Sequence, residues 1–267
     1  MRQGSETPLA SGKVAGEAPL LVYLHGLGCA GSRDWPPVAA GPALAGRASL
    51  WLDLLGFGSS PRPAGFGYDL GEQAAAVAGT LLSETAPLAL VGHSMGGTLA
   101  VMVAERLVAA GRPPVAVVLA EPNLRAEDAT TSARVAALPE AAFVAAWPRF
   151  VAGVESAWYR ESLRLADPVA YHRSAVSLVA HGQAMLPRFV ALPVARKAYV
   201  LGGRSDAATH ETARLARQAD IEVVTVARSG HEFSAEDPAG LAAAIAGAVP
   251  PCTATARSGA EWSGRTG

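Results

Sequence analysis

Apolar positions along the chain fall into two alternating kinds of stretch. Short, mainly apolar blocks recur at 20–24 (Leu-Leu-Val-Tyr-Leu), 48–52, 88–91, 115–120, 197–201 and 222–227. A block without polar alternation reads as a strand covered on both faces. Between these blocks lie stretches with helical spacing. At 70–84 the apolar residues are Ala74, Val77, Ala78, Leu81 and Leu82; further helices are predicted at 98–110, 207–218 and 238–249, the last with Pro238 in its first turn. Strands alternating with helices predict the α/β class, a mostly parallel central sheet with helices on both faces. The rhythm breaks at 124–192, which carries no convincing buried strand and reads as a helical insertion lying over the end of the sheet. The expected organisation is therefore a core made of 19–123 and 193–250, the insertion 124–192 between them, an N-terminal segment 1–18 and a Ser/Gly/Thr/Ala-rich tail 251–267, both flexible.

Composition narrows the picture further. The 267 residues are 50% apolar and 17% charged, enough for a large buried core and unlike a disordered chain. A net charge of −1 gives no reason to expect nucleic acid or an acidic membrane as partner. No apolar run reaches the roughly 20 residues that span a bilayer. Residues 1–19 lack the basic start and apolar segment of a secretory signal. Cys29 and Cys252 cannot make a disulfide framework, so a reduced cytoplasmic setting is expected. No metal-ligand spacing and no Walker-type loop occurs, and no cofactor or metal is expected.

The chemistry concentrates at Gly92-His93-Ser94-Met95-Gly96-Gly97, where the block 88–91 runs into a helical stretch. Small residues two before and two after Ser94 allow a strand to turn sharply into a helix around a strained backbone, holding the hydroxyl out over the sheet. A serine hydroxyl needs a base, and His231 in Ser229-Gly230-His231-Glu232 follows the last predicted strand. His25 sits in a glycine loop and is expected to shape the turn; His172, His181 and His210 fall in the insertion or on a helix. An imidazole base needs a carboxylate. Asp206 and Glu121 both end strands and both compete for that role, Asp206 being the first choice; Asp206 could instead cap the helix that follows it. Two backbone donors should face the oxyanion: Met95, after the nucleophile, and Leu27 in Leu24-His25-Gly26-Leu27-Gly28.

With these motifs in this order, the chain resembles the α/β-hydrolase superfamily. The resemblance rests on Leu24 to Gly28, on Asp53-Leu54-Leu55-Gly56-Phe57-Gly58-Ser59-Ser60, on the Ser94 elbow and on Ser229-Gly230-His231. It implies a Ser–His–acid triad, a helical cap formed by the insertion, and a structural turn at Asp53 to Ser60. The family's acid follows the strand before the histidine in a Gly-x-x-Asp pattern; counting from Gly203 gives Asp206, counting from Gly202 gives Ser205. Some members carry the acid one strand after the elbow, which would be Glu121. The family's opening antiparallel strands have little room before Leu20.

The implied function is hydrolysis of an ester, thioester or related carbonyl of a small to medium hydrophobic molecule. Carbon–carbon bond hydrolysis or acyl transfer could use the same residues, and a ligand receptor could use the same fold. Phe143, Trp147, Phe150 and Trp158 in the insertion either line a hydrophobic pocket or form the insertion's own core. A rival of another class is a dinucleotide-binding oxidoreductase: Gly26-x-Gly28-x-x-Gly31 follows a strand, with Asp53 roughly 20 residues on. Against it, Pro36-Pro37 should delay any helix after the glycines, and the Ser94 and His231 motifs would go unexplained.

Overall fold

The computed structural model describes residues 7–251. Its seven strands are β1 (Ser11–Val14), β2 (Glu17–Leu24), β3 (Arg47–Leu52), β4 (Leu88–His93), β5 (Ala116–Ala120), β6 (Arg196–Gly202) and β7 (Glu222–Val226). They form one sheet in the order β1-β3-β2-β4-β5-β6-β7. Every neighbouring pair is parallel except β1 with β3. The helices outside the insertion are α1 (Gly31–Ala39), α2 (Leu70–Leu82), α3 (Met95–Ala109), α9 (Ala207–Gln218), α10 (Phe233–Glu236) and α11 (Pro238–Ala248). Between β5 and β6 lie α4 (Thr130–Ala136), α5 (Glu140–Ala152), α6 (Ala157–Leu163), α7 (Pro168–His181) and α8 (Met185–Ala191).

The unbroken apolar blocks have a direct explanation here. Along β2, Leu20, Val22 and Leu24 join the core under α2 and α3, whereas Leu21 and Tyr23 join the core under α1 and α11. Side chains alternate across a strand, so burial on both faces removes the polar alternation. On one face Val77 and Leu81 of α2 and Leu99, Val103 and Leu107 of α3 pack against the sheet; on the other, Trp35, Val38, Leu241 and Ile245 do.

Two expectations are corrected. Residues 11–14, within the segment expected to be flexible, form β1, which pairs antiparallel with β3 from Ser11↔Leu52 to Val14↔Ser49. The antiparallel opening is therefore present, in four residues. The tail 252–267 and Cys252 lie outside the described residues. The second correction concerns Pro36 and Pro37. They do not delay a helix: α1 begins at Gly31 and contains both. Its buried face, Trp35 and Val38, holds the turn together despite two missing N–H donors.

Asp53 nonetheless stands apart from any ribose role. Its Oδ1 accepts from Ser32 N–H at 2.8 Å, and its Oδ2 accepts from Ser32 Oγ at 2.9 Å and Ser59 N–H at 2.8 Å. The first turn of α1, where a pyrophosphate would sit in a dinucleotide site, is thus bonded by Asp53 itself. The carboxylate is buried and pins the turn 53–60 to the start of α1. Replacing it with alanine leaves those donors without partners. Asp53→Ala should lower the unfolding free energy by roughly 2–4 kcal/mol in urea titration; a change under about 0.5 kcal/mol would remove this assignment.

Candidate active site

β4 ends at His93, and the backbone then departs from extended geometry. Ser94 has φ 54° and ψ −123°. Its N–H still donates to Ala120 O at 3.0 Å, so the strand ladder runs one residue past the strand before the chain reverses into α3. A left-handed φ at a residue bearing Cβ costs about 1–3 kcal/mol. The close packing around the turn over-determines it: a Cβ on Gly97 would lie 2.6 Å from Pro122 Cβ, and one on Gly96 would strike the carbonyls of Leu24 and His25. Glu121, directly after β5, has φ 42°. The two adjacent strands therefore end in the same way, each with a polar side chain on the kink.

Glu121 is buried and held at both oxygens. Oε1 accepts from Gly202 N–H at 2.7 Å and from Ser205 Oγ at 2.5 Å; Oε2 lies 2.8 Å from His231 Nδ1. The Glu121 side chain is 2% exposed and that of His231 52%, so one end of the pair is shielded while the other meets the pocket. An ionised carboxylate only accepts, which places the imidazole proton on Nδ1 and leaves the Nε2 lone pair presented. Asp206 is engaged elsewhere: its Oδ1 accepts from Thr209 N–H at 2.9 Å and Thr209 Oγ1 at 2.8 Å, capping α9. Those two bonds hold its carboxyl below the ordinary value. The residue one place earlier, Ser205, donates to Glu121.

Ser94, His231 and Glu121 line one pocket of about 450 Å³, together with Leu27. In the structure Ser94 Oγ donates to Asn123 Oδ1 at 3.4 Å, a long bond beside the roughly 2.8 Å usual for a hydroxyl donor. Asn123 is fixed through its Nδ2, which donates to Asp128 O at 2.5 Å, and its carbonyl, which accepts from Thr98 Oγ1 at 2.7 Å. The motifs that reveal Ser94 and His231 contain no signal for Asn123, because the contact is made across strand ends.

The N–H groups of Leu27 and Met95 donate to no group among the described residues. Met95 is the first residue of α3, where an N–H has no helical acceptor. The Leu27 loop is set by His25. Leu54 N–H donates to His25 Nε2 at 3.0 Å, so Nδ1 carries the proton and donates to Gly26 O at 2.8 Å. That carbonyl and the Leu27 N–H belong to the same peptide unit. Burial lowers the His25 pKa and keeps the ring neutral.

His93 supports the opposite side. Its Nε2 lies 2.8 Å from the His231 carbonyl, and its ring centre is 4.8 Å from that of His231. A carbonyl only accepts, so Nε2 donates and His93 ties the elbow to the loop carrying His231. Cys29 also lines the pocket, but burial pushes its thiol well above the ordinary value and keeps it from being a thiolate.

The aromatic residues of the insertion resolve into a core. Phe143 contacts Trp147, Phe150 and Tyr171, with ring centres 5.4–5.6 Å apart. Trp158 turns instead to Asp34, and its ring lies under Arg33. None of Phe143, Trp147, Phe150 or Trp158 lines the pocket; Tyr159, Tyr171 and Leu178 form its apolar wall, and Thr130, Thr131 and Ser132 its polar one. Among the described residues no group of three or more His, Cys, Asp or Glu could hold a metal ion. No single helix among them is long and apolar enough to cross a membrane.

Comparison with known proteins agrees with this architecture. Residues 21–244 match the model of the Alpha/beta hydrolase family. A thermophilic esterase from Thermogutta terrifontis superposes with a TM-score of 0.67 at 20% identity, covering 89% of this chain and 91% of that one. The enol-lactonase from Burkholderia xenovorans LB400 gives 0.66 at 24% identity, over 89% and 94%. An esterase from Exiguobacterium antarcticum gives 0.70 at 16% identity, over 90% and 94%. At these identities the likeness is one of fold. A sequence search of curated proteins finds no match.

One prediction follows from His93. Burial, with the nearby His231 as a smaller cause, lowers its pKa from 6.5 to about 3. An unfolded histidine takes up its proton near 6.5, so the stability contributed by the neutral ring is complete above that pH. It is lost as pH falls from 6.5 toward 3. Between about pH 7 and about pH 4.5 the wild type should lose roughly 1–2 kcal/mol more unfolding free energy than His93→Gln. Parallel losses in the two proteins would show that His93 titrates normally.

Proposed function

The chain belongs to the alpha/beta hydrolase family, and from that premise we propose that it is a serine hydrolase acting on an ester, thioester or related carbonyl through an acyl-enzyme. The observation that carries the reading is the Glu121–His231 bond of 2.8 Å in a pocket that also contains Ser94. Esterases and an enol-lactonase among the similar folds are in keeping with it.

The chemistry divides as follows. His231 Nε2 takes the Ser94 proton while Oγ attacks the carbonyl carbon. The Ser94 hydroxyl leaves Asn123 for His231 in this reading, and such catalytic contacts often tighten only when substrate is bound. The Leu27 and Met95 N–H groups receive the oxyanion, helped by the N-terminal end of α3. Glu121 stabilises the imidazolium, and its two other donors keep it in place as that charge appears. His231 then returns the proton to the leaving group, and a water activated by the same nitrogen releases the acid.

We assign the acid to Glu121 rather than Asp206, because only Glu121 contacts the imidazole. The pocket's apolar wall is short, since the large aromatics of the insertion pack on one another, and this favours compact acyl groups over long alkyl chains.

Ser94→Ala should reduce turnover of p-nitrophenyl esters by at least about a thousandfold. Glu121→Gln should reduce kcat about 10²- to 10⁴-fold, whereas Asp206→Asn should stay within about threefold of wild type. The reverse ranking would return the acid to Asp206. Across an acyl series, kcat/KM should peak at or below about six carbons; a peak beyond ten would contradict the compact pocket.

A further inference from the structure

Helix α6 makes three separate side-chain contacts outside the insertion. Ser156, its N-cap, donates to Glu232 Oε2 at 2.5 Å, next to His231 in the chain. Trp158 Nε1 donates to Asp34 Oδ1 of α1 at 3.0 Å. Tyr159 Oη donates to the Leu27 carbonyl at 2.9 Å. The third contact differs in kind because of where it lands.

Leu27 sits between Gly26 and Gly28, and Gly28 has φ 74°. Flanking glycines leave the peptide units on either side of Leu27 free to turn unless something holds them. The Gly26 carbonyl is held by His25 Nδ1–H and by Cys29 N–H. Among the described residues, the Leu27 carbonyl is held by Tyr159 only. The loop also packs directly on this tyrosine: a Cβ on Gly28 would lie 2.9 Å from Tyr159 Oη and 2.7 Å from the Tyr171 ring.

Proton counting fixes the direction of the bonds. The Leu27 carbonyl only accepts, so the single phenolic proton of Tyr159 goes there. The Tyr159–Tyr171 contact of 3.0 Å must then have Tyr171 as its donor. Burial raises both phenols, that of Tyr171 to about 12, so both stay protonated through the neutral range. Such a chain of donors strengthens each of its members where they are buried.

We propose that Tyr159 is a positioning residue for the oxyanion donor: its phenol holds the Leu27 carbonyl, in the peptide unit after the one that bears the Leu27 N–H, and so braces the downstream side of Leu27 while His25 and Cys29 hold the upstream side, keeping the N–H toward the space beside Ser94. The inference rests on the hydrolase reading above. It makes the insertion a structural part of the oxyanion site rather than a cover alone.

Tyr159→Phe tests it, because the aromatic ring remains while only Oη is removed. The oxyanion exists only near the transition state, so a misaimed donor lowers kcat and leaves ground-state binding nearly unchanged. With p-nitrophenyl acetate, kcat should fall about tenfold and KM should change less than about twofold. The rate at which a fluorophosphonate labels Ser94 should fall in parallel. Trp158→Phe, which breaks the α6 contact with Asp34 instead, should keep kcat within about threefold.

An unchanged kcat in Tyr159→Phe overturns the proposal. So does an equal loss in Trp158→Phe, which would assign the effect to docking of α6 in general. Wild type and Ser94→Ala measured alongside separate the two levels. Turnover that survives in Ser94→Ala removes the hydrolase reading together with this one. Turnover lost in Ser94→Ala but intact in Tyr159→Phe removes only the role of the tyrosine.

Discussion

The register between β4 and β5 is the constraint on which the site depends. Gly92 lies opposite Leu119 and His93 opposite Ala120, so Ser94 and Glu121 leave the sheet at the same level. Each takes a left-handed φ and each is bonded by its N–H to a carbonyl of the next strand, Ser94 to Ala120 and Glu121 to Val200. A slip of one residue between them would turn one of the two side chains to the other face. Burial of β4 and β5 on both faces resists that slip, and the strain at the two kinks is sustained by the surrounding core.

Three histidines near the pocket are kept in different states by their surroundings. His25 and His93 are held neutral by burial and donate to backbone carbonyls, one in the glycine loop and one in the loop carrying His231. His231 alone pairs with a carboxylate while its side chain remains half exposed. Residue type is the same in all three; environment separates the two supports from the proposed base.

The insertion contributes through polar contacts at its inner surface, while its bulk is held by aromatic packing. Phe143, Trp147, Phe150 and Tyr171 pack together. From that rigid body α6 extends Ser156, Trp158 and Tyr159 toward the core. These bonds are partly buried, where hydrogen bonds to fixed groups are stronger than at an open surface.

The sequence alone determined the fold class, because two-sided burial of parallel strands leaves unbroken apolar blocks that cannot be hidden in a pattern of letters. It also determined Ser94 and His231 as candidates, since a tight strand-to-helix turn demands small residues at fixed spacing and a late loop histidine stands out. It did not determine the acid. Asp206 and Glu121 both follow strands, and only the order β5-β6-β7 brought Glu121 to His231 while Thr209 drew Asp206 into a helix cap. Nor could it give Asn123, Ser205 or Tyr159 a partner, because those contacts join positions far apart in the chain. Local spacing encodes backbone turns; which side chains meet over the sheet is decided by strand order and by how the insertion folds back.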